Sequence, residues 1–479
     1  MQARNLICAT ACCVLVSSGC GSQVPPSQYF GRAFNTAAAE APPVVGASQA
    51  PAANAGPEPV GNTISNGGGQ PSGGALPSAG STSRGSGTTA APAGAGVVRG
   101  SCAGFRNGTG ITDSTIDIAN VADLSGPVPG LFTSAEQAVL AYQAYFNSST
   151  TICGRKLKVV TYDSQTSATG DQQASTSACA ETFAMVGSIG AFDSGGASTT
   201  SHCGIPDLRT ISTNPERFDS PVSFGTDAVD PTQVSTAQYR FIKASTGNAA
   251  AKSAMIYLNA GAAVPNALAY KATMEHLGYH FVYQKAIGVT EFNYAPYAAD
   301  LKRLGVTLVQ FEGSYQFAVR LKQAMQSQGV NAVFVMDSVA YDPVFVEAGG
   351  ADLDGTYSYV DTALLEEASR NPELRLYITW LHRVAPLAKP SFFGMFAWGS
   401  MALFTQLGLQ LGGKLSRTSL LAAIKTVHSF TDHGLFAPQD VGGKHSPSCQ
   451  AVIQLKGDSW VRRSPYPFSC SDVFDTTAS

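Results

Sequence analysis

Phe183-Ala184-Met185-Val186-Gly187-Ser188-Ile189, then Gly190-Ala191-Phe192-Asp193-Ser194-Gly195-Gly196, is the stretch that decides the fold. The first seven residues form an apolar run long enough for a buried strand and too short for a helix. A Gly-rich loop follows, then a helical segment to about residue 201, Cys203-Gly204, and a second strand over 207–211 that ends in Ser212-Thr213-Asn214-Pro215. Strand, loop, helix, strand and polar loop make a parallel βαβ unit. Small and polar residues stand at the carboxyl ends of both strands, the edge where open α/β sheets bind ligands. The stretch is half of a binding cleft.

Alternation of this kind continues on both sides. Upstream, a strand over 115–121 leads through Asp123-Leu124-Ser125-Gly126-Pro127 into a helix over 132–146, then a strand over 156–162 closed by Asp163-Ser164 and a helix over 171–180. Downstream, strands at 253–258, 280–287, 306–311 and 331–336 alternate with helices at 267–277, 297–304 and 316–328 and a short helix near Tyr341. Gly278, Gly305 and Gly329 end helices just ahead of strands, where a left-handed C-cap is needed. Alternating βα units predict parallel sheets with helices on both faces. Apolar helices over 392–411 and 419–427 complete the pattern, with a hairpin around Gly457-Asp458.

The N-terminal fifth is of another kind. Arg4, an apolar run over 6–16 and Ser17-Ser18-Gly19-Cys20 have the layout of an export signal over 1–20. Gly19-Cys20 resembles a bacterial lipobox, which makes Cys20 the lipidation site, although Ser17 stands where Leu or Val is usual. The run is too short for a permanent membrane span, and no later stretch reads as long and apolar enough. Residues 21–100 are Ala, Pro, Gly, Ser and Thr, a composition that buries too little apolar surface to offset ordering entropy and predicts a disordered tether.

Charged residues make up only 13% of the 479, with a formal net charge of -3 and no basic stripe, which excludes a nucleic-acid partner. Of the ten cysteines, Cys8, Cys12, Cys13 and Cys20 lie in the leader. Cys102, Cys153, Cys179, Cys203, Cys449 and Cys470 remain, an even set in an exported domain, with 15 possible connectivities. Cys102 and Cys153 precede the first two strands, Cys179 and Cys203 precede the strands at 183 and 207, and Cys449 and Cys470 flank the terminal hairpin. Neighbouring parallel strands bring such cysteines to one edge, which gives the pairs Cys102–Cys153, Cys179–Cys203 and Cys449–Cys470.

Enzyme chemistry finds little support. Gly187-Ser188-Ile189-Gly190 is only a GxxG, the first βα turn lacks GxGxxG, and Phe192 stands where a nucleophile elbow at Ser194 needs glycine. His276 and His280 have metal-ligand spacing, but Gly278 between them ends the helix. His428, His433 and His445 read as surface residues of the tail loops. The chain is read as a non-enzyme without cofactor or metal.

Thr115-Ile116-Asp117-Ile118-Ala119 through Leu124-Ser125-Gly126-Pro127, then Gly154-Arg155-Lys156-Leu157 to Tyr162-Asp163, resemble the opening of type I periplasmic solute-binding proteins, nearest the branched-chain amino-acid (Leu/Ile/Val) binding proteins of ABC importers. The resemblance spans residues 110–465. It implies two Rossmann-like lobes, residues 101–245 plus 362–440 and residues 246–361 plus 441–479, joined by three crossovers near 241–245, 359–362 and 434–441. A ligand would close between them.

The strand ends then supply the candidate ligand-binding residues: Ser125, Asp193, Ser194, Thr213 and Asn214 from lobe one, and Asn259, Glu312, Ser314, Asp337, Ser338 and Tyr341 from lobe two. In the resembled family, hydroxyls and backbone N–H groups of lobe one hold a ligand carboxylate, and a carboxylate and an aromatic of lobe two hold its ammonium. Asp193 departs from that pattern, as an anion repelling a carboxylate or as a helix cap. The expectation is a membrane-anchored, extracytoplasmic monomer that captures a small polar solute, an amino acid, amide or relative, for an ABC permease. The alternative is a sensor or surface interaction protein of the same fold without transport.

Overall fold

Strand β1 (Thr115–Ala122) is buried from Ile118 onward. It pairs in parallel with β2 (Lys156–Asp163) along its whole length and with β3 (Ala184–Val186) on the other side. Strands β4 (Asp207–Ile211) and β5 (Ser223–Asp227) extend this parallel sheet in the order β2-β1-β3-β4-β5. The strand expected over 183–189 stops at Val186 because Gly187 takes a φ of 65°. A β-carbon at Gly187 would stand 2.5 Å from the Val139 side chain, so glycine is required by space as well as by conformation. Strand β5 was not foreseen, since Ser223-Phe224-Gly225-Thr226-Asp227 is mostly polar or small. It is nevertheless wholly buried, because helix Phe392–Leu411 covers it and Ser400 Oγ meets Thr226 Oγ1 at 2.7 Å.

The computed structural model describes residues 99–477. The expected signal peptide, Cys20 and nearly all of the expected tether lie outside the described residues. Helix Phe392–Leu411, capped by the Ser391 hydroxyl, is the core helix of the first lobe. Trp398 is fully buried with its ring edge-on to Tyr142 at 4.7 Å, and the Tyr142 and Thr405 hydroxyls meet at 2.8 Å. By length and composition, Phe392–Lys414 is apolar enough to cross a membrane, contrary to the sequence expectation, but 78% of its most apolar window is buried against the protein. Helix Pro372–Val384, also unforeseen, starts at Asn371, whose side chain accepts from the Leu374 N–H.

After β6 (Gln233–Ser235) the chain builds a second sheet. Its strands are β7 (Ser253–Leu258), β8 (Phe281–Ile287), β9 (Leu308–Glu312), β10 (Val333–Met336), β11 (Tyr357–Val360), β12 (Cys449–Lys456) and β13 (Ser459–Arg462), in the order β13-β12-β11-β10-β9-β7-β8. Strands β7 to β11 are parallel, whereas β12 and β13 add the expected antiparallel hairpin. Gly278, Gly305 and Gly329 have φ of 78°, 65° and 68°, as helix-to-strand turns require. One parallel and one predominantly parallel sheet, with flanking helices, make the two-lobed α/β architecture expected from the sequence.

The crossovers are partly displaced from expectation. Residues 241–245 are not a connection but the end of helix Ala237–Ser245, which lies on the second lobe. Its Tyr239 hydroxyl meets that of Tyr359 on β11 at 2.9 Å, so the first crossing falls between β5 and β6. The other two crossings run side by side, with Ala363 N–H donating to Leu435 O and Ala437 N–H to Asp361 O, both at 2.7 Å. Strand β14 (Ser469–Cys470) pairs with β12, and β15 (Val473–Asp475) with β6. The disulfides are Cys102–Cys153, Cys179–Cys203 and Cys449–Cys470, as the strand order predicts.

Candidate functional site

The carboxyl edge of the first sheet is organised by three aspartates that capture its loop N–H groups. Asp123, buried at the end of β1, accepts from the Ser164 hydroxyl (2.6 Å), Thr166 N–H (3.0 Å) and Ala191 N–H (2.8 Å). Burial nevertheless pushes its pKa up. Asp163, at the end of β2, accepts from Leu124, Ser125 and Gln165 N–H groups and from the Ser125 hydroxyl at 2.5 Å. Burial raises its pKa, but these bonds outweigh it and hold the carboxyl below its usual range.

The Asp193 side chain does not cap the helix that follows it. Its fully buried carboxylate accepts from Thr213 N–H (2.9 Å), Asn214 N–H (3.0 Å) and the Asn214 amide (2.8 Å), and pairs with Arg209 at 3.1 Å. Arg209 also holds Asp207 at 2.8 Å, and Arg217 links Asp207 (3.3 Å) to Asp171 (2.7 Å). The charges alternate along this buried chain, so each acid has a guanidinium partner, but three carboxylates share two guanidiniums and burial raises Asp171, at the end of the chain, to about 6. Thr213 donates its hydroxyl to Gly190 O at 2.5 Å. Of the five lobe-one candidates, Ser125, Asp193, Thr213 and Asn214 are therefore committed to holding the loops. Ser194, half-buried, has no side-chain hydrogen bond among the described residues.

The edge of the second sheet is different. Glu312, the last residue of β9, is 3% exposed; Asn266 donates to its Oε1 at 3.3 Å, while Oε2 is buried without a partner. Asp337, one residue past β10, accepts from Val339 N–H at 3.2 Å. Burial, then the charge of Asp337, pushes Glu312 well above the usual carboxylate range, and burial raises Asp337 to about 6. Tyr239, Tyr270 and Tyr359 lie beside this pair, with ring centroids 5.6 to 6.4 Å apart. Ser314 N-caps helix Tyr315–Ser327 without a capping bond, leaving a buried, unpartnered Oγ. Asn259 is exposed and Ser338 half-buried at the same edge. Tyr341 does not join them: its hydroxyl donates to Glu366 at 2.6 Å and its ring packs on Trp460.

Residues that the sequence reading passed over complete the site where the crossovers meet. Asp227 ends β5 and Asp361 follows β11; both are buried. Gln439, from the third crossing, donates to Asp361 at 2.6 Å and accepts from Ala228 N–H at 3.1 Å. Burial and then Asp361 push Asp227 well up, and burial raises Asp361 to about 6. The charges of Glu312, Asp337 and Asp227 all bear on Tyr270. Asp227 is the last residue of a strand and Asp361 directly follows one, as Asp337 does, so recognising β5 and β11 would have found them. Across the cleft, Gly261 comes so near the Ala191–Phe192 loop that a β-carbon would stand 2.7 Å from Ala191 O. The two edges thus face and meet each other. Away from the cleft, His428 and His445 do have a carboxylate partner, each donating its Nδ1–H to Asp440 at 2.7 Å.

Residues 115–458 match the family model described as periplasmic binding protein. Comparison with curated proteins by sequence gives no match. Among solved structures, the chain is similar to a fatty acid ABC transporter substrate-binding protein from Thermomonospora curvata (18% identity, TM-score 0.65, 75% of this chain and 94% of that one). It is similar to a leucine binding protein from Thermotoga maritima (14%, 0.60, 73% and 98%). It is also similar to a solute binding protein from R. palustris in complex with 4-hydroxybenzoate (14%, 0.63, 76% and 97%). At such identities the likeness concerns the fold.

Proposed function

The chain belongs to the periplasmic binding protein family, and from that premise we propose that it is an extracytoplasmic lipoprotein which captures a small polar solute between its lobes and delivers it to an ABC importer. The observation that carries this reading is the buried Glu312–Asp337 carboxyl pair, which no cation of the described residues neutralises and whose Glu312 Oε2 receives no N–H donor, on the sheet edge that faces the other lobe. A buried polar atom without a partner costs about 1–3 kcal/mol, which a ligand donor can recover. The solute is therefore one that donates N–H groups: an amino acid, an amide or a related amine.

The lobe-one edge supports the same choice. The N–H groups of Leu124, Ser125, Ala191, Thr213 and Asn214 are taken by aspartates of the chain itself, so a solute carboxylate competes for them with internal anions. Amine or amide recognition at Glu312 and Asp337 outweighs carboxylate recognition at Ser194. In this reading residues 101–228 and 362–440 form lobe one, and residues 233–361 and 441–477 form lobe two. The solute shifts a hinge equilibrium by its preference for the closed form. A thermal-shift screen of the protein against amino acids, amides, polyamines, small acids and sugars tests the proposal. A binder at 100 times its Kd adds about 2.7 kcal/mol of stability. Stabilisation by small acids or sugars alone, unaffected by Glu312→Gln, overturns it.

A further inference from the structure

A third pair of carboxyls lies away from the cleft, on the first lobe. Glu373 stands in the first turn of helix Pro372–Val384, and Asp432 and His433 form the turn that precedes the third crossing. One potential ligand atom from each of the three lies within 4.8 Å of the other two. Asp432 is 6% exposed, and its Oδ2 is buried without a hydrogen-bond partner. Opposite that oxygen is Gly399 of helix Phe392–Leu411, where a β-carbon would stand 3.6 Å away. Glu373 Oε1 accepts from the Trp398 indole N–H at 2.8 Å, which fixes the carboxylate and leaves its second oxygen for another partner. Among the described residues no Lys or Arg pairs with either acid.

We propose that Glu373, Asp432 and His433 form a binding site for one divalent transition-metal ion of the Zn²⁺ type. The donor set decides the class. Two carboxylate oxygens and one imidazole nitrogen suit Zn²⁺, whose protein ligands stand about 2.0–2.2 Å away. Ca²⁺ takes six to eight oxygens, and Mg²⁺ an octahedral oxygen shell, neither of which an imidazole-bearing triad provides. His433 is exposed while Asp432 is buried, so the open fourth position faces solvent and takes water. The ion neutralises two carboxylates that otherwise have only the imidazole for a counter-charge among the described residues.

The ion ties two parts of lobe one together. Helix Pro372–Val384 is joined through it to the turn at Asp432–His433, which leads directly into Leu435–Ala437 alongside Asp361–Ala363. Zn²⁺ thereby stiffens the lobe-one end of two crossovers without touching the cleft.

Isothermal titration of the full chain with Zn²⁺, compared with Asp432→Asn and His433→Gly, tests the site. Asparagine keeps the shape of Asp432, and glycine tolerates the φ of 56° at position 433, so both variants retain the fold, which circular dichroism verifies. The parent should bind one equivalent more than either variant and gain thermal stability from Zn²⁺ that both variants lack. Equal stoichiometry and affinity in all three proteins overturns the proposal, as does a parent whose melting temperature Zn²⁺ leaves unchanged; the acids then share a proton instead.

Discussion

Replacing Asp227 by asparagine should make the protein more stable at neutral pH and less sensitive to pH. Asp227 and Asp361 are 4% and 3% exposed, and no cation pairs with either among the described residues. Gln439 satisfies one Asp361 oxygen, while Asp227 Oδ1 has no partner. Two buried carboxylates at one crossing cannot both ionise cheaply, so the folded pair keeps a proton that the unfolded chain, with carboxyl pKa values near 4, releases. A raised folded pKa gives stability that is complete below about pH 4 and is lost as pH rises through the folded value, about 6 for Asp361 and higher in direction for Asp227. Each retained proton costs about 1.4 kcal/mol per pH unit. Asparagine removes the need for that proton, and its amide can donate to Asp361. The stability of Asp227→Asn relative to the parent should therefore rise by about 2.7 kcal/mol between pH 5 and pH 7. Urea unfolding of both proteins at the two pH values measures this double difference directly. An asparagine variant whose offset from the parent is the same at both would show that the pair holds no proton, and the argument from burial would fail.

Three further outcomes are expected. Mass spectrometry of the mature N-terminus should find a diacylglycerol-modified Cys20, and an unmodified chain beginning elsewhere in the leader would refute lipidation. Asp193→Ala leaves a buried Arg209 with half its counter-charge and frees the Thr213 and Asn214 amides, so denaturation should register a loss of about 3–5 kcal/mol; a loss below 1 kcal/mol would mean that the network is not holding the loop. Glu312→Gln should weaken binding of the solute found by the screen at least tenfold, about 1.4 kcal/mol, without lowering the stability of the free protein, and unchanged affinity would move the site to other loops.

Much of the architecture was legible because it depends on local, periodic signals. Short apolar runs, helix-ending glycines and the cysteines preceding each strand gave the βα order and, through it, the disulfide partners. Strand β5 escaped because it has no apolar run, and its burial comes from a helix supplied by residues 392–411. The first crossing escaped for a related reason. Tyr239-Arg240-Phe241-Ile242 reads equally as a helix or a connection, and only its packing on β11 places it with the second lobe.

The roles of the acids were the least legible feature, and charge pairing explains why. Asp193 after a strand looks like an exposed loop anion until Arg209, on the next strand, folds beneath it. Along Asp171, Arg217, Asp207, Arg209 and Asp193 each acid has a guanidinium within reach, although three carboxylates share two guanidiniums and burial raises Asp171 to about 6. Glu312 with Asp337, Asp227 with Asp361 and Glu373 with Asp432 have none among the described residues, and the last two pairs join elements far apart in sequence. A fold that buries such pairs must supply a proton or a cation to each. The position of each pair then suggests which it receives: a solute amine at the cleft, a proton where the crossovers meet, and a metal ion where an exposed histidine completes the donor set.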